Sequence, residues 1–190
     1  MSGAKARFGA GLVVLVCFLV AAIEGYDIQA FGVAAPKLIP ELGLNPGQQG
    51  WAASIAMIGL VAGAAAGGWA ADRVGRKPVL LVSVAAFGVF SLMTAASHGY
   101  DMLLAARFLT GVGFGGAMPN LIAVANEMSR GKGAAATVTL MFCGMPVGGA
   151  AVALGARLMG DAMDWRLLFA AGGLAPLALV PVMALVLPET

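Results

Sequence analysis

Six long apolar stretches dominate this sequence and constrain its fold. They lie near 9–36, 49–71, 78–98, 101–127, 133–158 and 165–187. Each is long enough for a helix to cross a bilayer core, which needs about 20 residues. Only 11% of the residues are charged, whereas a soluble domain carries about 25%. The sequence therefore predicts an all-α membrane protein, a single bundle of six transmembrane helices over residues 1–190.

The first stretch follows Lys5 and Arg7, as the apolar region of a cleaved signal peptide would. Its apolar character continues past Asp27 to Ala35, too far for the central region of a signal, so we expect this span to be retained. Helix-breaking prolines and glycines separate or end the apolar spans. They are Pro36, Pro40, Asn45-Pro46-Gly47, Pro78, Gly131 and Gly133.

The basic residues predict the orientation, because Lys and Arg concentrate in cytoplasmic connectors. With the N-terminus inside, seven lie on the cytoplasmic side: Lys5, Arg7, Arg73, Arg76, Lys77, Arg130 and Lys132. Three lie on the opposite side: Lys37, Arg157 and Arg166. We therefore expect a multi-pass protein of the inner membrane with both termini in the cytoplasm.

Two carboxylates interrupt the first span, and one guanidinium interrupts the fourth. Glu24 and Asp27 are three residues apart and share a helix face. Counted at 1.5 Å per residue, Asp27 lies roughly 13 Å below Pro36, and Arg107 roughly 9 Å below the start of its span. Unpaired charges at such depth are costly. The pattern predicts that these three side chains pair around a wet cavity; a structural ion pair joining spans one and four is the alternative.

Close carboxylates in a low dielectric cannot both ionise easily, so this pair is expected to bind and release a proton. Gly25 between them leaves room for a neighbouring backbone or a ligand. The planar fork of Arg107 suits a substrate carboxylate or Asp27. The resulting hypothesis is that Asp27, with Glu24, carries a proton while Arg107 switches between Asp27 and a substrate.

Three polar side chains are weaker candidates for substrate binding. Asn120 follows Pro119 in the fourth span and can hydrogen-bond a ligand or a neighbouring helix. Gln29 and Tyr26 lie beside the acidic pair. An aromatic ring can stack on one of four side chains, although helix or lipid packing is the more ordinary role for each. These four are Tyr26, Phe31, Phe114 and Phe142.

Small residues predict where the helices pack closely. Three sets of glycines recur every four residues: Gly59, Gly63 and Gly67; Gly111 and Gly115; Gly144 and Gly148. Such stripes let membrane helices approach each other. Cys17 and Cys143 lack metal-ligand spacing and are expected to be buried thiols. We find no nucleophile, metal or phosphate-loop pattern, so neither an enzyme nor a metal is expected, and a net charge of +2 gives no reason to expect nucleic acid.

The second connector reads GGWAADRVGRKPVL and carries an ordered motif, Gly-x-x-x-Asp-Arg-x-Gly-Arg-Lys. Its residues are Gly68, Asp72, Arg73, Gly75, Arg76 and Lys77. The motif resembles the signature between helices two and three of major facilitator superfamily transporters, where it implies a latch at the cytoplasmic gate. Glu127 at the inner end of span four is expected to pair with Arg73, Arg76 or Arg130 in that latch.

The acidic stretch EGYD, with RFLTGVGFGGAMPNLIA in span four and the ending LPET, narrows the resemblance. This stretch follows the pattern acidic residue, Gly, any residue, Asp, which in helix one is typical of the aromatic acid:proton symporter family. The first residue of the pattern is usually Asp in that family, whereas this chain has Glu24. Within that family the chain looks most like transporters of 3-(3-hydroxyphenyl)propionate.

This resemblance implies a secondary transporter that imports small aromatic or organic acids, with protons as the coupling ion and no other cofactor. It implies the N-terminal half of the family's fold, a 3+3 inverted repeat. A second copy of the chain, or a missing C-terminal half, would then complete the cavity. Two alternatives stay open: a transporter of another solute class, such as a sugar or drug, and a non-transporting remnant or partner subunit.

Overall fold

The computed structural model describes residues 10–128 and 133–187, and the regular structure in these ranges is helical. The helices are α1 (Ala10–Leu42), α2 (Pro46–Val74), α3 (Arg76–Ala95), α4 (Tyr100–Met128), α5 (Ala134–Phe142), α6 (Gly144–Met159) and α7 (Trp165–Val186). Helices α5 and α6 form one span, so the described part of the chain contains six helices that are long and apolar enough to cross a membrane.

The first helix continues through Pro36 and Pro40 to Leu42, six residues beyond the predicted end of the span. A proline inside a helix removes one backbone hydrogen bond and crowds the preceding turn, but tertiary contacts can offset that cost. Here the Lys37 ammonium donates to the carbonyl of Met163 at 2.8 Å and so ties this last part of α1 to the turn before α7. The helix ends instead at Gly43, whose φ of 63° is a conformation that glycine adopts without strain.

The second helix begins at Pro46, three residues before the predicted start of its span. Asn45 caps it: its side chain accepts a hydrogen bond from the Gln48 backbone at 2.9 Å, and the Gln48 side chain accepts one from the Asn45 backbone at 3.0 Å. This reciprocal pair satisfies two of the amide groups that a helix start leaves free. Proline at the first helical position adds to the signal.

The fifth span is interrupted at Cys143, which separates α5 from α6. Pro146 lacks a backbone N–H, so the carbonyl four residues earlier, on Phe142, loses its helical partner. The interruption leaves Cys143 exposed, which corrects the expectation that both thiols are buried; Cys17 is buried as predicted.

The glycine stripes pack as predicted, and they define two close helix pairs. A Cβ atom added to Gly63 of α2 would collide with the backbone of Val112 in α4, and one added to Gly111 would collide with Ala56. On the other side of the bundle, Gly148 of α6 faces the backbone of Ala22 in α1 in the same way. Backbones this close permit dense packing without large side chains.

Two apolar clusters fill the interior, one toward each end of the bundle. One includes Val16, Leu80 and Leu121. The other includes Leu38 and Phe169. A layer of buried polar side chains lies between them: Glu24, Asp27, Ser91, Arg107 and Thr110. The two clusters therefore enclose the intramembrane charges within apolar surroundings.

At the end of the bundle that includes Gly43, one arginine joins three helices. Arg166 at the start of α7 pairs with Glu41 of α1 at 2.9 Å. It also donates to the carbonyl of Ala95, the last residue of α3, at 2.8 Å and to that of Ser97, just after α3, at 2.7 Å. The Trp165 indole donates to Glu41 at 2.7 Å. These bonds hold the ends of α1, α3 and α7 together.

The close approach of α2 and α4 makes Gly63 intolerant of a larger side chain. We expect Gly63→Ala to destabilise the bundle by about 1–3 kcal/mol, because the added methyl group overlaps a backbone that cannot rotate away. The measurement is the midpoint of thermal unfolding in detergent. Gly155→Ala is the matched control, since a Cβ there meets nothing within 4 Å. Equal midpoints for the two variants would contradict the packing argument.

Candidate functional site

A buried ion pair joins the first and fourth spans. An Nη atom of Arg107 lies 2.8 Å from a carboxylate oxygen of Asp27, and both side chains are almost fully buried. The Ser91 hydroxyl of α3 lies 3.3 Å from the other Asp27 oxygen and 3.2 Å from the carbonyl of Phe169, and it can donate to either. Asp27 is thus held from α3 and α4 at once, and the predicted pairing of Asp27 with Arg107 is confirmed.

Aromatic rings flank the guanidinium of Arg107. Its central carbon lies 5.5 Å from the ring centre of Phe31 and 5.7 Å from that of Phe169, distances at which a cation is attracted to the faces of rings. The Nε of Arg107 is buried and has no hydrogen-bond partner among the described residues. The guanidinium therefore neutralises Asp27 while its Nε–H group remains unpaired among the described residues.

Glu24 does not join this pair, which corrects the expectation that all three charged groups associate. It lies about one helical turn from Asp27, is only 4% exposed, and makes no hydrogen bond or ion pair with the part of the chain that the structure describes. Residues three apart on a helix differ by about 60° around its axis. That difference separates Glu24 from the direction in which Asp27 meets Arg107.

A cavity of about 240 Å³ lies beside the ion pair, and both carboxylates line it. Its walls come from α1, α2, α3 and α4. The lining residues are Glu24, Asp27, Ile28, Phe31, Gly32, Ala53, Ala56, Met57, Leu60, Phe87, Arg107, Thr110, Gly111 and Phe114. The cavity wall therefore offers a small ligand both aromatic rings, from three phenylalanines, and the charged groups of the ion pair.

The rings of Phe87 and Phe114 separate this cavity from a smaller adjoining one. Their centres are 6.1 Å apart and their planes are tilted by 54°. Glu24 also lines the smaller cavity, whose other walls are apolar and include Val84 and Leu121. The Glu24 carboxyl group therefore lies where the two cavities meet.

The three weaker candidates lie outside the larger cavity. The Asn120 amide donates to the Gly116 carbonyl of its own helix at 2.9 Å, so a bond to a neighbouring helix, one of its two predicted roles, is absent among the described residues. The Tyr26 hydroxyl donates to the Leu168 carbonyl of α7 at 3.2 Å. Gln29 is exposed and lies against Gly149 of α6. Phe142, also considered for stacking, is exposed on α5.

Sequence reasoning missed Ser91 and Phe87, which contact the ion pair or line the cavity. A serine in an apolar span is a signal, but α3 also carries Ser83 and Thr94, both buried. The position of Ser91 opposite Asp27 depends on the rotation of α3 within the bundle, which no local pattern records.

The charged motif lies at the other end of the bundle, where α2 turns into α3. Gly75 has a φ of 90°, which allows the tight reversal that its place in the motif predicts. Arg76 forms an ion pair with Glu127 at the end of α4, one of the three partners expected for Glu127; Arg130 lies outside the described residues. The guanidinium of Arg73 lies 3.7 Å above the ring of Trp69.

The remaining motif residues take no part in these contacts. Asp72 is exposed and Lys77 is half-buried. A side chain at Gly68 would meet nothing within 4 Å, so close packing does not require glycine there. Lys5, Arg7, Lys132 and the final Pro188, Glu189 and Thr190, which entered the orientation or the resemblance, also lie outside the described residues.

Six membrane-spanning helices around a cavity with a buried ion pair are the arrangement of one half of a secondary transporter fold. The chain belongs to the Major Facilitator Superfamily, whose family model matches residues 17–190. Members of this family are membrane transporters rather than enzymes. The predicted fold class, one six-helix half of that fold, is confirmed.

Several relatives are similar along 94% of the chain. The 3-(3-hydroxy-phenyl)propionate transporter of Escherichia coli strain K12 is 45% identical over 179 residues, and the match covers 44% of that protein. The 4-hydroxybenzoate transporter PcaK of Pseudomonas aeruginosa is 41% identical over 178 residues, covering 40% of it. The chain therefore spans less than half the length of these relatives.

Solved structures share the fold at low sequence identity. The partially occluded, inward-open form of the xylose transporter XylE from Escherichia coli superposes with a TM-score of 0.86 at 18% identity. The superposition covers 96% of this chain and 50% of that protein. This similarity establishes the fold and carries no information about the solute.

The near-complete burial of the ion pair makes its two charges interdependent for stability. We expect Arg107→Gln alone to destabilise the bundle by about 3–5 kcal/mol, because it leaves Asp27 as an uncompensated buried charge. Adding Asp27→Asn to that variant should recover much of the loss. Thermal unfolding of the two single variants and the double variant in detergent gives the coupling. Additive losses would show that the two groups do not depend on each other.

Proposed function

We propose that this chain is half of a secondary active transporter that imports small aromatic acids, or related organic acids, together with protons. The observation that carries the proposal is the Asp27–Arg107 ion pair on the wall of a cavity that also holds Phe31, Phe87 and Phe114. Two similar proteins are named as transporters of 3-(3-hydroxy-phenyl)propionate and of 4-hydroxybenzoate, and these names support the same class of solute.

In this proposal Asp27 takes up a proton, and a substrate carboxylate replaces Asp27 as the partner of Arg107. With Asp27 ionised, the two charges neutralise each other and the guanidinium is occupied. Protonation of Asp27 removes its charge and leaves a buried cation, which is costly unless another anion replaces it. A substrate carboxylate supplies that anion and binds the guanidinium with charge-assisted hydrogen bonds. Glu24 is the second carboxyl group in the cavity that can take part in the proton step.

The aromatic ring of the substrate is assigned to the phenylalanine walls of the cavity. Phe31 and Phe114 both line it, and Phe31 also flanks Arg107. Stacking beside an anchored carboxylate orients the ring. Asn120, Gln29 and Tyr26 lie outside the cavity, so this proposal gives them no substrate contact.

The cytoplasmic gate is assigned to the charged motif, with the protein in the inner membrane and both termini in the cytoplasm. The Arg76–Glu127 pair joins the start of α3 to the end of α4 and so closes that end of the bundle. Both side chains are partly exposed, which makes the pair weak enough to open and close during transport.

A second six-helix unit is proposed to complete the cavity, either another copy of this chain or a segment like the remaining length of its relatives. Family transporters hold the substrate between two such halves. Large apolar side chains such as Trp51, Ile58 and Val61 are exposed on α2, and Leu140 and Leu154 on the fifth span. These surfaces require lipid or another helical unit against them.

Proton-coupled uptake into proteoliposomes tests the proposal. An inwardly directed proton gradient is expected to drive accumulation of radiolabelled hydroxybenzoate by the wild-type chain, and collapse of the gradient is expected to stop it. Asp27→Asn should abolish the accumulation, because the residue can no longer carry a proton, and Glu24→Gln should reduce it. Asp101→Asn is the matched control, an exposed carboxylate at the start of α4.

Unchanged gradient-driven uptake in both Asp27→Asn and Glu24→Gln would exclude the proton role of these residues. Absence of any aromatic acid uptake by the wild-type chain would contradict the transport function itself. Native mass spectrometry of the same preparation counts the copies. A strict monomer that transports would exclude the homodimer.

A further inference from the structure

The Glu24 carboxyl group is the polar feature of the cavity that the exchange on Arg107 leaves unexplained. It is nine-tenths buried or more, it lines the cavity, and it has no hydrogen-bond partner among the described residues. A buried carboxyl group without a partner is unfavourable. Asp27, one turn away, has both Ser91 and Arg107. A hydrogen-bond partner for Glu24 must therefore come from a molecule that enters the cavity.

We propose that Glu24 accepts a hydrogen bond from a hydroxyl group on the aromatic ring of the substrate and so selects hydroxylated aromatic acids. This inference rests on the proposed function, because it assumes that the carboxylate of the ligand lies on Arg107. The specificity-determining group is then Glu24, at the opposite end of the ring from the anchor.

The placement of the two groups supports this assignment. Arg107 and Glu24 line the same cavity, and Phe114 and Phe87 lie in its wall with them. Glu24 is displaced from Asp27 by about 4.5 Å along α1, so it is offset from the Asp27–Arg107 contact in the direction of the smaller cavity. A ring anchored at Arg107 and packed on Phe114 extends toward Glu24.

The apolar walls around Glu24 make its preference for a ligand with a hydroxyl donor specific. Around Glu24 the smaller cavity is lined by apolar side chains such as Val20, Ile23 and Met118. These offer no hydrogen-bonding group, so a hydroxyl group at the end of the ring has one acceptor there. A site that hydrogen-bonds a ligand hydroxyl discriminates strongly against analogues without it, because its own polar group is left unpaired.

Equilibrium binding without a proton gradient tests the inference on the full chain in nanodiscs. The probes are 3- and 4-hydroxybenzoate and their methyl ethers, which keep the oxygen but cannot donate a hydrogen bond. For the wild type we expect the better hydroxyl form to bind roughly 10- to 100-fold more tightly than its ether, the range that an unpaired buried acceptor costs.

Two substitutions at Glu24 are expected to lower the ratio of hydroxyl to ether affinity by different amounts. Glu24→Met removes the acceptor and keeps an unbranched side chain, and it relieves an unpaired buried carboxyl group, so the bundle is expected to fold. Its ratio of hydroxyl to ether affinity should fall to about 1. Glu24→Gln retains one of the two acceptor oxygens and should give an intermediate ratio. Asp101→Asn, on an exposed carboxylate away from the cavity, should keep the wild-type ratio.

The outcomes separate this inference from the proposed function. Hydroxyl and ether forms that bind the wild type equally, or a ratio that Glu24→Met leaves unchanged, would overturn the inference while aromatic acid binding stands. A wild-type chain that binds none of these acids would overturn the proposed function, and the inference would fall with it. Tight binding with a ratio that declines from Glu to Gln to Met supports both.

Discussion

The arrangement of the bundle depends on one constraint, the burial of Asp27 and Arg107 between apolar clusters. Neither side chain is tolerable alone at that depth, so α1 and α4 must meet at the height and rotation that bring the two charges to 2.8 Å. Ser91 adds α3, and its second possible acceptor, the Phe169 carbonyl, adds α7. Four helices are thus positioned by a single polar layer, and the cavity lies against that layer.

Glycine determines how closely neighbouring helices approach the polar layer. Gly25 lies between the two carboxylates, and a Cβ there would overlap the backbone of Met145 in α6. The room that the sequence predicted at Gly25 is therefore taken by a neighbouring backbone. Met145 immediately precedes Pro146, close to the interruption at Cys143. The segment of α1 that carries both carboxylates thus rests on the part of the fifth span where the helix is interrupted and Pro146 removes a helical hydrogen bond.

The sequence predicts the parts of this structure that follow from local chemistry. Six apolar lengths, glycine every fourth residue and opposite charges at similar depth yield the spans, the close α2–α4 and α1–α6 pairs and the Asp27–Arg107 contact. Helix ends were less predictable. Pro36 and Pro40 are breakers by propensity, yet Lys37 and Glu41 bond across to the turn before α7 and to its start, and the helix continues.

Side-chain direction within a span is the other limit on sequence reasoning. Tyr26 and Gln29 are neighbours of the acidic pair in the chain but point to α7 and α6, because successive residues rotate by about 100° around the axis. The same rotation separates the two carboxylates: three residues give Glu24 a position on the cavity but no hydrogen bond or ion pair with Arg107. A four-residue spacing would leave an offset of only about 40°, which favours sharing one partner. The spacing of three therefore gives Asp27 two protein partners and leaves the Glu24 carboxyl group directed to whatever occupies the cavity.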